Sequence, residues 1–278
     1  MKGESALAKL SGSTPVPFNG QKEFTFNYDK EVDIVAESGK KTPGGIKLEP
    51  VTILPIKMEY SARVSDEFVF GTEEYRINVL RSFSEGFGRK IARGIDIAAF
   101  HGLNPRTGAA SSVVGANNFD SKIVQSVVGT ANPENDMEAA ISLIEAMEGT
   151  VSGAVFAPKF RSSLAAQKDN TGRRLYPELA WGQEVGAING LPVTANVTLA
   201  FGASNIRAIV GDFAQSFRWG YSKQIPIRVI EFGNPDNNEE EGDLQGRNQV
   251  LVRGEVYVGW AILIPSNFAK IVEEEEEA

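Results

Sequence analysis

Along residues 22–34 the apolar positions carry even numbers. Phe24, Phe26, Tyr28, Val32 and Ile34 alternate with Glu23, Thr25, Asn27, Asp29 and Asp33. A period of two predicts a strand with one apolar face. Residues 36–46 then read as a polar, glycine-rich tip. Alternation resumes with Ile56, Met58, Tyr60, Ala62 and Val64 set against Lys57, Glu59, Ser61 and Arg63. The pattern predicts one long two-stranded hairpin over residues 22–64. An isolated hairpin is marginal in water, so a continuous apolar face on it requires a surface to lie on. That surface can belong to another chain. Residues 1–21, rich in Gly, Ser, Pro and Lys and without a period, read as an extended arm. Neither arm nor hairpin has an evident partner within the chain.

From about Phe70 the period becomes helical. Ile77, Leu80, Phe87, Ile91, Ile95 and Ala98 follow spacings of three, four and seven, and Gly102 and Pro105 close the segment. Gly86, Gly88 and Gly94 interrupt it, each at a cost of up to about 1 kcal/mol relative to alanine. Close approach of another backbone and a helix with a weak middle are equal readings. Residues 103–131 read as irregular. A second helix starts at Asn132-Pro133, carries a stripe of Met137, Ala140, Ile141, Ile144 and Met147, and stops at Gly149. A strand over 151–157, a third helix over 158–168, turns at 169–172 and 189–192, and a strand over 193–197 follow. Short strands are expected over 207–213, 217–221 and 225–232. Residues 233–246 form a long acidic loop. In the next strand Val250, Val252, Val256, Val258 and Trp260 share one face, while Arg253 and Glu255 share the other. Glu273–Glu277 reads as a solvated like-charge tail. The class is α+β, without βαβ alternation.

Composition narrows the chemistry. The 278 residues include no cysteine and one histidine, which excludes thiol nucleophiles, disulfides and multi-histidine metal sites. His101 closes the long helix and reads as a C-terminal helix residue. Gly86-Phe87-Gly88 lacks the third glycine of a dinucleotide fingerprint and lies inside a helix. Asp66-Glu67 and Glu73-Glu74 sit at predicted helix starts and read as capping groups. Asp236, Glu239–Glu241 and Asp243 do not have the spacing of an EF-hand and read as a solvated loop. Trp181, Trp219 and Trp260 are not interleaved with basic residues and read as core or interface. The sequon Asn196-Val197-Thr198 reads as a chance match. No catalytic, cofactor or metal residue is assigned. A net charge of −8 argues against wrapping nucleic acid and suits a protein that sits beside DNA without adhering to it. No stretch of 18 apolar residues and no apolar signal core is present, so a cytosolic origin without a membrane is expected.

The order of parts carries a resemblance. A hairpin tip Glu37-Ser38-Gly39-Lys40-Lys41 precedes Tyr60-Ser61-Ala62-Arg63-Val64-Ser65-Asp66-Glu67-Phe68, and the long helix ends in Gly94-Ile95-Asp96-Ile97-Ala98-Ala99-Phe100-His101-Gly102. Lys168-Asp169-Asn170-Thr171-Gly172-Arg173, Ile188-Asn189-Gly190-Leu191-Pro192-Val193 and Gly211-Asp212-Phe213 follow. The close is Val252-Arg253-Gly254-Glu255, then Ile264-Pro265-Ser266-Asn267-Phe268-Ala269. Over nearly its whole length the chain resembles the major capsid proteins of tailed double-stranded DNA phages, with the Hong Kong 97 phage-like fold.

The resemblance implies an N-terminal arm at 1–21 and an extended hairpin loop at 22–64. It implies a peripheral domain with a spine helix and long strands at 65–130 and 211–278, and an axial domain at 131–210. It implies hexamers and pentamers of one chain, closed into an icosahedral shell around packaged DNA that is held without sequence-specific contact. It implies a virion component assembled in the host cytoplasm, a separate scaffolding protein, a portal, and room for a decoration protein. The separate scaffold is expected because only about 20 residues, beginning at Met1, precede the hairpin. Inter-subunit contact is expected at Phe24, Phe26, Tyr28, Lys40, Lys41, Ile56, Met58 and Tyr60. In the acidic loop, placed near a local three-fold axis, contact is expected at Asn237, Asn238, Glu239 and Glu240. Some relatives join a hairpin lysine to an asparagine of that loop. Lys40, Lys41 or Lys47 with Asn234, Asn237 or Asn238 and the adjacent Glu239–Glu241 would supply the groups, and solvated loop tips are the competing reading. Encapsulin shells for cargo enzymes share the architecture. A hydrolase with two carboxylates about 5–9.5 Å apart, or a peptide- or glycan-binding β-domain, would leave the apolar hairpin unexplained.

Overall fold

The computed structural model describes residues 5–28, 30–182, 186–202 and 204–273, with the backbone alone at 26–28. A short helix, α1 (Ala6–Leu10), comes first. Strands β1 (Gln21–Tyr28) and β2 (Ile46–Ile53) form an isolated antiparallel pair. β3 (Ile56–Ser65), the single turn α2 (Glu67–Phe70) and the long helix α3 (Glu73–His101) follow. Next stand α4 (Phe119–Lys122), β4 (Ser126–Val128), α5 (Pro133–Glu145), β5 (Gly153–Phe156) and α6 (Pro158–Ala166). Then come β6 (Ala187–Ile188), β7 (Leu191–Ala195) and β8 (Ile206–Gly211). β9 (Phe217–Ile230), β10 (Gln249–Ile262) and β11 (Phe268–Val272) complete the order.

The hairpin is shorter than its pattern suggested, and its second strand is a different one. The return strand is β2, with Phe24 opposite Pro50, Phe26 opposite Leu48 and Tyr28 opposite Ile46. Pro50 breaks the strand pattern in the sequence, yet in a two-stranded ribbon each strand is an edge and tolerates a missing N–H. β3 does alternate, but its partner is β10, in the sheet order β3-β10-β9, with Met58 opposite Val256 and Val64 opposite Val250. Period two specifies which face is buried and leaves the neighbour open. β9 is one strand where two were expected. It carries Pro226 on the outer edge, and the register shifts opposite Gly254.

β10 is the central wall of this sheet. Val250, Val252, Val256, Val258 and Trp260 are all buried on one face, as the alternation required. Helix α3 crosses that face, with the Phe87 ring seated against Gly254, where a Cβ would stand 2.9 Å from the ring. Thr72 caps the helix through its Oγ, which accepts from the Tyr75 N–H, and Gly102 ends it at φ +69. Only its second half, from Ile91 to Phe100, is buried. Gly86 and Gly88 face open space, with nothing among the described residues within 4 Å of where a Cβ would stand.

The second large sheet has the order β4-β11-β8-β5-β7-β6 and is covered on both sides. Val155 and Ile209 turn toward α3 and an aromatic group around Phe119, whose ring lies 5.1–5.9 Å from Phe100, Phe213, Phe217 and Phe268. Ala154, Phe156, Ala208 and Val210 turn the other way, toward α5 and α6. β4 comes from a stretch expected to be irregular, and β11 leaves the long strands to join this sheet beside β8. Glu273 is not a solvated end. Its N–H donates to the Asn205 carbonyl at 2.7 Å, and its carboxylate lies 3.3 Å from the Arg207 Nε. Glu274–Glu277 lie outside the described residues.

The arm has partners after all. Ala6, Leu7 and Ala8 are buried in the main core. Farther along, the Thr14 and Val16 N–H groups donate to the Trp219 and Tyr221 carbonyls, lining the arm along the edge of β9. Gly220 leaves the Thr14 carbonyl room that any Cβ would fill. The first contact is polar. Asp96, fully buried on α3, accepts from Ser5 Oγ at 2.6 Å, from the Ala6 N–H at 2.7 Å and from the Leu7 N–H at 3.4 Å. It also accepts from Asn196 Nδ2 at 3.3 Å and Thr198 Oγ1 at 3.4 Å. One carboxylate thus joins arm, long helix and the 196–198 turn. His101, five residues on, directs its Nε2 to the Thr198 carbonyl at 3.0 Å, and burial lowers its pKa.

Burial raises the Asp96 pKa to about 6, against the downward pull of its hydrogen bonds. A raised carboxyl pKa means that its stabilising contribution is full below the ordinary value and fades as pH rises through about 6. The melting-temperature advantage of the native chain over Asp96→Asn is therefore expected to be larger at pH 5 than at pH 7.5. Asp96→Ala leaves several buried donors unpaired and is expected to cost about 3 kcal/mol. Hydrogen exchange should locate that loss first in residues 5–16. A pH-independent advantage and an arm that stays protected would contradict this assignment.

Candidate functional site

Among the described residues no group of three or more acidic or histidine side chains could hold a metal ion, and no helix is long and apolar enough to cross a membrane. The acid pairs read as caps behave differently from one another. Asp66 makes no side-chain cap bond, while Glu73 and Glu74 occupy the first turn of α3 behind the Thr72 cap.

The distinctive surface is the β1–β2 hairpin. Cross-strand partners share a face, so Phe24 lies on the side of Pro50, and the backbone register sets Phe26 opposite Leu48 and Tyr28 opposite Ile46. Phe24 is 51 % exposed, Leu48 49 % and Ile46 62 %. The side chains of Phe26 and Tyr28 lie outside the described residues. Beyond the paired region Val32 and Ile34 are almost fully exposed, and Lys40 and Lys41 at the tip are exposed. Lys47 pairs with Glu49 at 2.6 Å in open solvent. The base is fixed. Ile53 is buried with Val16 and Ala261, Val51 packs on the same small cluster, and Glu23 accepts from Arg218 at 2.7 Å. The hairpin is therefore a lever, anchored at one end and uncovered along its apolar face.

Ile56, Met58 and Tyr60 do not belong to this lever. They lie on β3, where Ile56 and Met58 pack against the chain's own main core. Tyr60 is 37 % exposed, with its ring 6.3 Å from that of Phe83. Residues that the sequence reading did not name as contacts are exposed instead. Phe70, Tyr75 and Ile77 are exposed around the start of α3, and Gly86 and Gly88 are open about three turns farther along the same helix. The helical spacing was legible, but a period does not show which half of the helix is covered.

The acidic loop is held from within by arginines. Arg63, on the polar face of β3, donates to Asp236 at 2.6 and 2.9 Å, to Asn234 Oδ1 at 2.8 Å and to the Gly242 carbonyl at 3.0 Å. Glu241 lies 3.3 Å from its Nε. Arg253 donates to the Pro235 carbonyl and Arg247 to that of Glu240. The Arg63 guanidinium holds the Asp236 carboxyl below the usual range. Asn234 uses both ends of its amide, accepting from Arg63 and the Asn238 N–H and donating to the Asn238 carbonyl. Asn238 Oδ1 accepts from the Glu240 and Glu241 N–H groups. Asn237, at φ +52, and the side chains of Glu239 and Glu240 stand exposed at the tip. The loop is thus shaped before it meets anything else. In the sequence, Arg63 looked like one more polar residue of an alternating strand.

A family model described as the phage capsid family matches residues 1–272. Among solved structures, a chain from Mycobacterium phage Ogopogo is 31 % identical with a TM-score of 0.82, covering 98 % of this chain and 92 % of that one. A chain from Gordonia phage Cozz is 28 % identical with a TM-score of 0.80, covering 98 % and 87 %. A chain of the capsid of a native GTA particle shares the fold at 14 % identity, with a TM-score of 0.67 over 96 % and 89 %. No curated protein sequence matches.

Replacing Arg63 tests the role given to it. Arg63→Met removes the charge and the fork while keeping the stem on the sheet. Residues 233–248 are expected to lose hydrogen-exchange protection and become open to proteolysis, with β10 still protected. Unchanged protection of the loop would show that Arg253 and Arg247 suffice.

Proposed function

The chain belongs to the phage capsid family and is a major capsid protein, a structural subunit of an icosahedral phage head, and we propose that hexamers and pentamers form when each copy lays its hairpin on a neighbour. The observation that carries this reading is the uncovered face of Phe24, Ile46 and Leu48 on a ribbon fixed at its base. Such a face is unstable in water alone and is satisfied when every copy covers the next, as closed symmetric assembly allows. The exposed start of α3, with Tyr75, Ile77 and the open Gly86 and Gly88, has the character of a receiving surface.

In the same reading the preformed loop of residues 233–246 meets its counterparts near a local three-fold axis, through Asn237, Glu239 and Glu240. Cross-linking through Asn234 has no place in it, because that amide is already engaged at both ends. The net charge of −8 suits a wall that encloses DNA without sequence-specific contact. A separate scaffolding protein, a portal, any decoration protein and assembly in the host cytoplasm complete the proposal, with no enzymatic step assigned. The cargo-compartment alternative is not favoured by the phage family match.

The test is Phe24→Glu combined with Leu48→Glu in the full chain. Both positions are exposed, so folding stability is expected to change by no more than about 0.5 kcal/mol for each. Assembled particles, counted by electron microscopy and size exclusion, are expected to disappear. Particle yield equal to that of the native chain would overturn the role of the hairpin.

A further inference from the structure

We propose that Trp181, with the cations of the adjoining 168–174 turn, forms a socket for the acidic rim of α5 on a second copy of this chain. The inference rests on the shell reading and names one contact within it. Trp181 is 98 % exposed and sits at φ +60, a conformation that bulky residues rarely adopt. Trp219 and Trp260, by contrast, are buried. An indole held out into water by a left-handed kink is the kind of anchor that interfaces use.

Beside it lies a shallow cavity of about 470 Å³ lined by Arg161, Lys168, Arg174, Leu179 and Trp181. The turn that presents the cations is rigid. Lys168 and Arg174 are bridged antiparallel, and Asp169 accepts from Thr171 Oγ1 and from the Thr171 and Arg173 N–H groups. Asp169 is thereby tied to its own turn, and the exposed Lys168 and Arg173 carry no ion pair among the described residues. Burial raises the pKa of Tyr176 to about 12, and its hydrogen bond with Glu134 and the fields of Glu134, Glu138 and Glu178 add to the rise. The Glu138 end of the acidic rim therefore lies near the segment that bears Tyr176.

The same domain carries a surface of the opposite character. Glu138 and Glu145, two turns apart on the outward face of α5, are exposed, as is Glu148 just beyond its end. Met147, just past the end of the helix and beside Glu148 in sequence, is exposed as well. These acids match the cations around the indole in sign. Because the two patches are different parts of one copy, their contact pairs unlike surfaces and repeats from copy to copy until a ring closes.

Charge reversal on the full chain tests this. Lys168→Glu with Arg173→Glu, and separately Glu138→Lys with Glu145→Lys, are each expected to leave a folded chain, judged by circular dichroism, that loses its assembled fraction. The four substitutions together are expected to restore it. Assembly of the native chain should move its tryptophan emission to shorter wavelength, and Trp181→Phe should remove that shift. Reversed pairs that assemble as the native chain does, or a fourfold variant that fails to recover, would overturn the socket while leaving the shell reading intact. Loss of DNA binding in the Lys168 and Arg173 variant with assembly untouched would reassign the socket to nucleic acid. A native chain that stays monomeric even with scaffold would overturn the shell reading itself, and this contact with it.

Discussion

Two paired strands cannot keep an apolar face from water by themselves, and the rest of this molecule is arranged around that constraint. β10 lies between β3 and β9 with its valines beneath α3, and the six-stranded sheet is covered on both faces. The β1–β2 ribbon has no such cover. Its base is locked by Ile53 against Val16 and Ala261, so the uncovered part is carried by a firm body at a set angle. Rigidity at the base and exposure beyond it are what a repeated contact between copies requires.

Two charged side chains do for irregular segments what ladders do for strands. Asp96 gathers the arm, α3 and the 196–198 turn around one buried carboxylate. Arg63 gathers Asn234, Asp236, Gly242 and Glu241 around one guanidinium. In each case a single residue of a regular element fixes a stretch whose own sequence specifies little. The consequence for function is that arm and acidic loop are placed before assembly, which lowers the ordering cost of meeting a neighbour.

Long regular elements were legible in the sequence, while the short ones α1, β4 and β11 and the partners of the strands were not. The parity of Val250 to Trp260 and the end of α3 at Gly102 followed from period and cap chemistry, whereas its start, expected at about Phe70, falls at Glu73 behind the Thr72 cap. The alternation of Ile56 to Val64 was also real, but a period of two carries no information about which strand lies alongside, and β3 went to β10. α1, five residues long, is too short for a helical period to register. Asp96 did leave a trace, as the lone acid in the otherwise apolar run Ile95 to Phe100 of the buried half of α3. Arg63 left none, since its partners come from more than 170 residues farther along. Trp181 could be placed in core or interface by type alone, and only its exposure separates the two.

The most direct measurement is an electron cryo-microscopy reconstruction of particles assembled from this chain, at a resolution that traces the ribbon of residues 21–53. The account predicts that Phe24, Ile46 and Leu48 of every copy are buried against an adjacent copy, with the body of each subunit unchanged. A ribbon folded back on its own subunit, or left in solvent within a closed shell, would contradict it.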